Sequence, residues 1–366
     1  MTEPEPLQFV GLNTVRLGRR CFDYFSGCDY FRLARDRRVA RAAIQALKKH
    51  GLNVAASRRT TGNHAIYGQL EAELAQFFAA PSALVLPDGY DAPIAAAQAL
   101  APECEHLFVD EFAHAALRDA ARMFRVKAQE FGHHDAAGLA RCLAKCKPGS
   151  CPVVLTDGMF AHDGSVTPLH RYLQILPPRG LLLVDDAHGV GLIGATGQGS
   201  LEHEGVNRQC IIQCGTLSKA FGAYGGFILA STAWRERIME RSRLFAGTTP
   251  LPPLLAGAAL AALRILGRDR GRRKRLQRNA RYLREALRAA GWEIEEAPGP
   301  IIRLPALGER AVRKLKSQFL AAKIYPPFLK YGAVSDQGFF RIVVSSEHTL
   351  PQLDRVARVL RKCPNF

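Results

Sequence analysis

A chain of 366 residues with 48% hydrophobic content is long enough to bury a sizeable core, and its length fits two domains. Its apolar runs extend over only about 4–8 residues, against the ~20 that a bilayer span needs, so no membrane-spanning segment is expected. Fifty Lys and Arg against 33 Asp and Glu leave a net charge of +17; that balance attracts polyanions, but no nucleic-acid-binding motif accompanies it, and no nucleic-acid partner is expected.

The first residues, Met1-Thr2-Glu3-Pro4-Glu5-Pro6, are acidic and proline-bearing, unlike a secretory leader, and a cytoplasmic protein is expected. Residues 1–45 read as an N-terminal arm that runs into a helix over Arg38–His50. Residues 46–250 alternate helical stretches with short apolar runs: Ala83–Leu86, His106–Val109, Cys151–Leu155, Leu181–Val184, Cys210–Gln213 and Gly226–Leu229. Near-continuous apolar strands separated by helices predict an α/β fold, a mostly parallel sheet covered on both faces. Pro250-Leu251-Pro252-Pro253 punctuates the exit from this large domain. A helical stretch over 253–290 then leads into a smaller α+β C-terminal domain, 251–366, with strands expected at Gly299–Leu304 and Phe339–Val344 and a helix at Leu350–Arg361. Within Arg268–Arg288, Leu276, Leu283 and Leu287 recur at helical spacing among Arg272, Arg273, Lys274, Arg275, Arg278, Arg281 and Arg284, which predicts an amphipathic helix with a solvated basic face. The nine cysteines form no framework; Cys142, Cys146 and Cys151 lack the paired spacing of a zinc site, so reduced thiols and no metal are expected.

Two stretches carry chemistry. Leu183-Val184-Asp185-Asp186-Ala187-His188-Gly189 delivers an acid and a histidine at the end of a buried strand, where open α/β sheets bind ligands. Gly215-Thr216-Leu217-Ser218-Lys219-Ala220-Phe221-Gly222 then sets a lysine among small and hydroxyl residues. A lysine for a Schiff base, a carboxylate for a pyridine nitrogen and hydroxyls with backbone N–H groups for a phosphate are what pyridoxal phosphate (PLP) needs. Gly89 and Tyr90 open a helix whose N–H groups, with the Thr216 hydroxyl, suit that phosphate. Gly189–Gly194 satisfies G-x-G-x-x-G but neither follows its strand directly nor opens a helix, so no dinucleotide site is read there.

From about Asp23 to Leu360 the chain resembles the α-oxoamine synthase family of fold-type I PLP enzymes, chiefly through Val184–Gly199 and Gly215–Gly226. The resemblance implies that Lys219 carries the cofactor, that Asp185 pairs with its ring nitrogen, that His188 bonds its phenolic oxygen and that His114 stacks on its ring. It implies further that Arg341 clamps the α-carboxylate of an amino acid, where a bidentate fork suits better than an ammonium. Thr248 and Thr249, before Pro252-Pro253, match the region from which a threonine reaches the neighbouring subunit's phosphate, which implies a homodimer with shared sites. The implied activity is decarboxylative condensation of a small amino acid with an acyl thioester, acyl-CoA or acyl carrier protein, to an α-amino ketone. The alternatives are an aminotransferase or aldolase on the same fold, and a non-catalytic module. Five positions depart from the family pattern: Cys28 for asparagine, Tyr67 for histidine, Asp88 for serine, Pro93 for asparagine and Ala161 for serine.

Overall fold

Each of the six apolar runs becomes a strand of one sheet in the computed structural model, which describes residues 6–331 and 335–363. From edge to edge the strands are Ser82–Leu86, Gly226–Ala230, Ile211–Thr216, Leu181–Asp185, Pro152–Asp157, His106–Asp110 and Ala128–Phe131. Gly226–Ala230 is antiparallel to both neighbours and the rest run one way. Successive side chains alternate between two apolar layers. Leu107, Val109, Val153, Leu155 and Leu183 pack with Ala96, Leu100 and Leu117 on one face. Phe108, Val154, Leu182 and Val184 pack with Leu139, Leu143, Leu169 and Tyr172 on the other. Burial on both faces is why these strands read as unbroken apolar runs.

Two expectations need correction. The strand Ala128–Phe131 escaped notice because it lies at the sheet edge, where Gln129 and Glu130 face solvent and no apolar run develops. The helical stretch 253–290 is two helices, Pro253–Arg268 and Arg270–Ala289, broken at Asp269, whose ψ is 77°. Gly267, Asp269 and Gly271 are weak helix formers, so little opposes a break there.

The chain divides into two compact units. One comprises Leu33–Phe160 and Val166–Arg270; the other gathers residues up to Arg32, Ala161–Ser165 and everything from Gly271. The sequence placed its boundaries at 45/46 and 250/251, and Met1–Glu5 lie outside the described residues. In the smaller unit the arm forms strands Thr14–Leu17 and Arg20–Tyr24, which Ile324–Tyr325 extends in parallel. Ile301–Arg303, Ser335–Val343 and Phe328–Tyr331 make a second sheet, longer at its centre than the sequence indicated. The helices Arg270–Ala289, Glu309–Ala321 and Leu350–Arg361 contribute Leu283, Leu287, Leu315, Phe319, Leu353 and Leu360 to its core. The basic helix is not uniformly solvated: Arg273 and Arg284 are buried, and Arg284 donates to the carbonyl of Ile301 at 3.0 Å. Among the described residues no helix is long and apolar enough to cross a membrane.

A buried polar knot in this unit carries a pH dependence. His348 stacks on Phe25 at 4.0 Å, accepts the Ser345 N–H at Nδ1 (2.8 Å) and has Nε2 3.1 Å from the Tyr24 carbonyl. Burial, with the Arg32 charge behind it, lowers its pKa to about 3. The unfolded imidazole takes up its proton near pH 6.5 and the folded one does not. Folding is therefore weakened as pH drops from about 6.5 towards 3, by up to about 1.4 kcal/mol per pH unit. In chemical denaturation at pH 7 and pH 5, the wild type is expected to lose more stability than His348→Gln; equal losses would refute this assignment. The comparison with the variant matters because buried Asp186, with a pKa of about 7, has the opposite sign over the same range.

Candidate active site

Three adjacent parallel strands of the large sheet each end in aspartate: Asp110, Asp157 and Asp185. Asp185 is 5% exposed and its Oδ1 accepts the Ala187 N–H at 3.1 Å, which folds the chain back directly after the strand. Asp157 lies opposite Asp185 in the parallel register and is 3% exposed. Its Oδ2 accepts the backbone N–H of His114 at 2.9 Å. His114 itself caps the helix Ala115–Ala121, its Nδ1 accepting the Ala116 N–H at 3.1 Å. That bond leaves Nε2 as the protonated nitrogen of a neutral ring. Burial lowers the His114 pKa, against the pull of Asp185 and with help from the Lys219 charge. Asp185 and Lys219 thus both lie within electrostatic reach of His114.

His188 is buried in the turn that follows Asp185. Its neighbour Asp186 is wholly buried, accepting Ser200 N–H at 2.7 Å and Gln213 Nε2–H at 2.6 Å. Gly189 and Gly199 pack so closely that a Cβ on either would lie 2.1 Å from its carboxylate. Asp186 therefore ties the site loop to the sheet, and burial pushes its carboxyl up to about 7.

Lys219 is half-buried in the loop that joins the antiparallel strands Ile211–Thr216 and Gly226–Ala230. Leu217 and Gly225 close that loop through a 2.8 Å backbone bond, and Ala220 and Phe221 anchor it in the core. Thr216 Oγ1 lies 2.8 Å from Ser218 Oγ. Gly89 is pressed against Thr216: a Cβ there would sit 2.6 Å from the threonine hydroxyl oxygen. Asp88 accepts the Tyr90 N–H at 2.7 Å, doing at a helix start what serine also does, so that departure keeps the turn. Pro93 falls in the first turn of Asp91–Leu100, where a missing N–H breaks no helical bond. The Tyr90 ring lies edge-on to His114 at 6.1 Å, and its hydroxyl donates to Asp119, which holds its pKa at about 12. The Thr248 hydroxyl donates to the Leu244 carbonyl at 2.8 Å as a helix ends, and Thr249 is exposed.

Arg341 belongs to the smaller unit, on the strand Ser335–Val343. Its Nη1 donates to the Ala161 carbonyl at 2.8 Å and its Nη2 lies 3.8 Å from Cys28 Sγ, while Nε is buried without a partner. Two of the five departures, Cys28 and Ala161, therefore flank one guanidinium. Asp157 went unrecognised as a site residue, although the shared ending of three strands, Val-Asp, Thr-Asp and Val-Asp, was there to be read.

The aminotransferase class I and II family model matches residues 29–360. The 8-amino-7-oxononanoate synthase of Lysinibacillus sphaericus is 32% identical over 95% of this chain and 90% of that protein. That of Methylococcus capsulatus is 34% identical over 92% and 87%. The chain belongs to the α-oxoamine synthase family of fold-type I PLP enzymes. Among solved structures, the 8-amino-7-oxononanoate synthase of Francisella tularensis superposes with a TM-score of 0.80 at 26% identity, covering 92% of this chain and 96% of that one. Sphingomonas wittichii serine palmitoyltransferase, at 24% identity, shares the fold with a TM-score of 0.91, covering 99% and 92%. As an α-oxoamine synthase the chain is a PLP-dependent transferase, and its residues fit that cofactor. Asp185 is a buried carboxyl that no lysine or arginine among the described residues pairs with, and a ring N–H⁺ would suit it as a partner. Gly89 leaves open the space beside the Thr216 hydroxyl that a side chain would fill.

Proposed function

We propose that this chain condenses a small amino acid with an acyl thioester, borne by CoA or by an acyl carrier protein, with loss of carbon dioxide, to give an α-amino ketone. The observation that carries this reading is the grouping of Lys219, Asp185 and His114 in one buried site of a chain that belongs to the α-oxoamine synthases. PLP, when bound, supplies a sink for the electron pair left at the amino acid's α-carbon.

The chain's own residues would do the rest. Lys219 would hold the cofactor through its amine and would take the substrate's α-proton on Nζ. The Asp185 carboxylate keeps a proton on the ring nitrogen, and His188 supports the phenolic oxygen. His114, neutral and donating only from Nε2, packs on the ring and offers that N–H to the thioester carbonyl, whose thiolate leaves as the new carbon–carbon bond forms. Thr216 with the Gly89 N–H would hold the phosphate at a helix start, the expected Tyr90 N–H being engaged by Asp88 at 2.7 Å. In a homodimer with shared sites, Thr249, exposed and uncommitted to a cap, would be the better of the two threonines to reach the site of a second copy. Arg341 would take the amino acid's carboxylate.

Release of free thiol from a panel of acyl-CoAs, with glycine, alanine and serine in turn, tests this. Thiol release that requires both amino acid and acyl-CoA is expected. Arg341→Lys, which keeps the charge but not the fork, should raise KM for the amino acid by about tenfold or more, in line with a lost charge-assisted bond of about 1.5–3 kcal/mol. Formation of keto acid or aldehyde from the amino acid alone would instead establish the aminotransferase or aldolase reading.

A further inference from the structure

We propose that Asp157 and Asp185 share one proton near neutral pH, with Asp157 holding it, so that Asp157 is a positioning residue that keeps Asp185 anionic and His114 in place. The proposal builds on the function given above and assigns a role to a residue that the sequence did not single out.

The argument starts from register. Pro152–Asp157 and Leu181–Asp185 are parallel neighbours, and Asp157 is the partner of Asp185. Paired residues of adjacent parallel strands project to the same face, with backbones about 4.8 Å apart. Both carboxyls are buried, 3% and 5% exposed. Two carboxylates so close in a dry site cannot both ionise at their ordinary pH, and the pair titrates in two separated steps.

The environment decides which one keeps the proton. Asp157 stands beside Asp185 on one neighbouring strand, while on the other Val109 pairs with Leu155, so that Asp110 lies on the opposite face and adds only a smaller push. Against them stand the His114 backbone N–H and the Lys219 amine. Burial, with the neighbouring Asp185 behind it, prevails, and the Asp157 carboxyl is held well above the usual carboxylate range. Asp185, which awaits a cationic ring nitrogen, has the stronger reason to be the anion. With Asp157 Oδ2 engaged by the His114 N–H, Oδ1 is left to carry the proton. An ionised Asp157 would repel the charge of Asp185 and weaken its hold on the cofactor.

The test is Asp157→Asn, which mimics the protonated acid in shape and can still accept the His114 N–H. The stability of the full-length protein without PLP is measured from pH 5 to pH 8 for wild type and variant. The unfolded Asp157 releases its proton near pH 4 and the folded one retains it. Wild type is therefore expected to lose up to tenfold in folding equilibrium constant per pH unit relative to the variant. Parallel curves would overturn the shared proton. In holoenzyme, D157N should bind PLP at least tenfold more tightly than Asp157→Ala, and equal affinities would overturn the positioning role. If D157N does not fold, Asp185→Asn tests the pair from the other side. Without its neighbour's charge Asp157 ionises more readily and the pH slope must flatten; an unchanged slope refutes the proposal. The measurements without PLP do not depend on the reaction, so a wild type that binds no cofactor would overturn the proposed function and leave the proton assignment standing or falling on its own slope.

Discussion

Lys219→Ala is expected to abolish the visible absorption of the protein's covalently held cofactor and to lower turnover by about 10³-fold or more. In the proposed function the variant removes both the amine that would hold the cofactor and the base that would take the α-proton, and a positioned base alone contributes about 10²–10⁴ in rate, equivalent to about 3–5 kcal/mol of barrier. The loss should be local. Lys219 is half-buried, and its loop is fixed by the Leu217–Gly225 backbone bond and by buried Ala220 and Phe221, none of which the substitution touches. Lys219→Arg is expected to fail equally, since a guanidinium keeps its charge throughout the accessible pH range. An unchanged visible band in Lys219→Ala would sink the assignment of this lysine.

Glu71→Ala is expected to cost about 3–5 kcal/mol of stability, the range for removing one partner of a buried ion pair. Glu71 lies on the helix Ala65–Phe77 with both oxygens engaged. Oε1 accepts from Arg58 at 2.5 Å and from the Val85 N–H at 2.9 Å, and Oε2 accepts from Arg235 at 2.9 Å. The Arg58 and Glu71 side chains are 5% and 7% exposed. The guanidinium of Arg58 also lies 5.0 Å from the Tyr67 ring, whose hydroxyl donates to the Leu251 carbonyl at 2.7 Å. Truncating Glu71 would take the carboxylate from buried Arg58, the acceptor from the Val85 N–H and one partner from Arg235, whose side chain is 27% exposed. The departure at Tyr67 thus belongs to this structural knot. Glu71→Gln keeps the N–H acceptor and the shape but not the charge, and should fall between wild type and alanine. The check is denaturant unfolding of the protein without PLP; a loss below about 1 kcal/mol for Glu71→Ala would show that water relieves the stranded charges.

Much of this protein was fixed by local sequence. Leu181–Asp185 and the other apolar runs had to be buried strands, because a parallel strand covered on both faces needs apolar side chains in both directions. Asp185, His188 and Lys219 were legible because each sits in a short segment whose neighbours declare its setting: a strand end, or a small-residue turn. The helix Leu350–Arg361 likewise declared itself by Pro351 in its first turn and an apolar repeat. Tertiary structure alone decided which strands are neighbours, since strand order is absent from any local pattern. That order is what sets Asp157 beside Asp185 and gives the polar strand Ala128–Phe131 its edge. It also brought Cys28 and Ala161, 313 and 180 residues away, against Arg341, and closed Glu71 on Arg58 and Arg235. Such contacts are settled by how whole elements pack to bury apolar surface, a property of the assembled chain, whereas the chemistry of one strand end is written within a few residues of it.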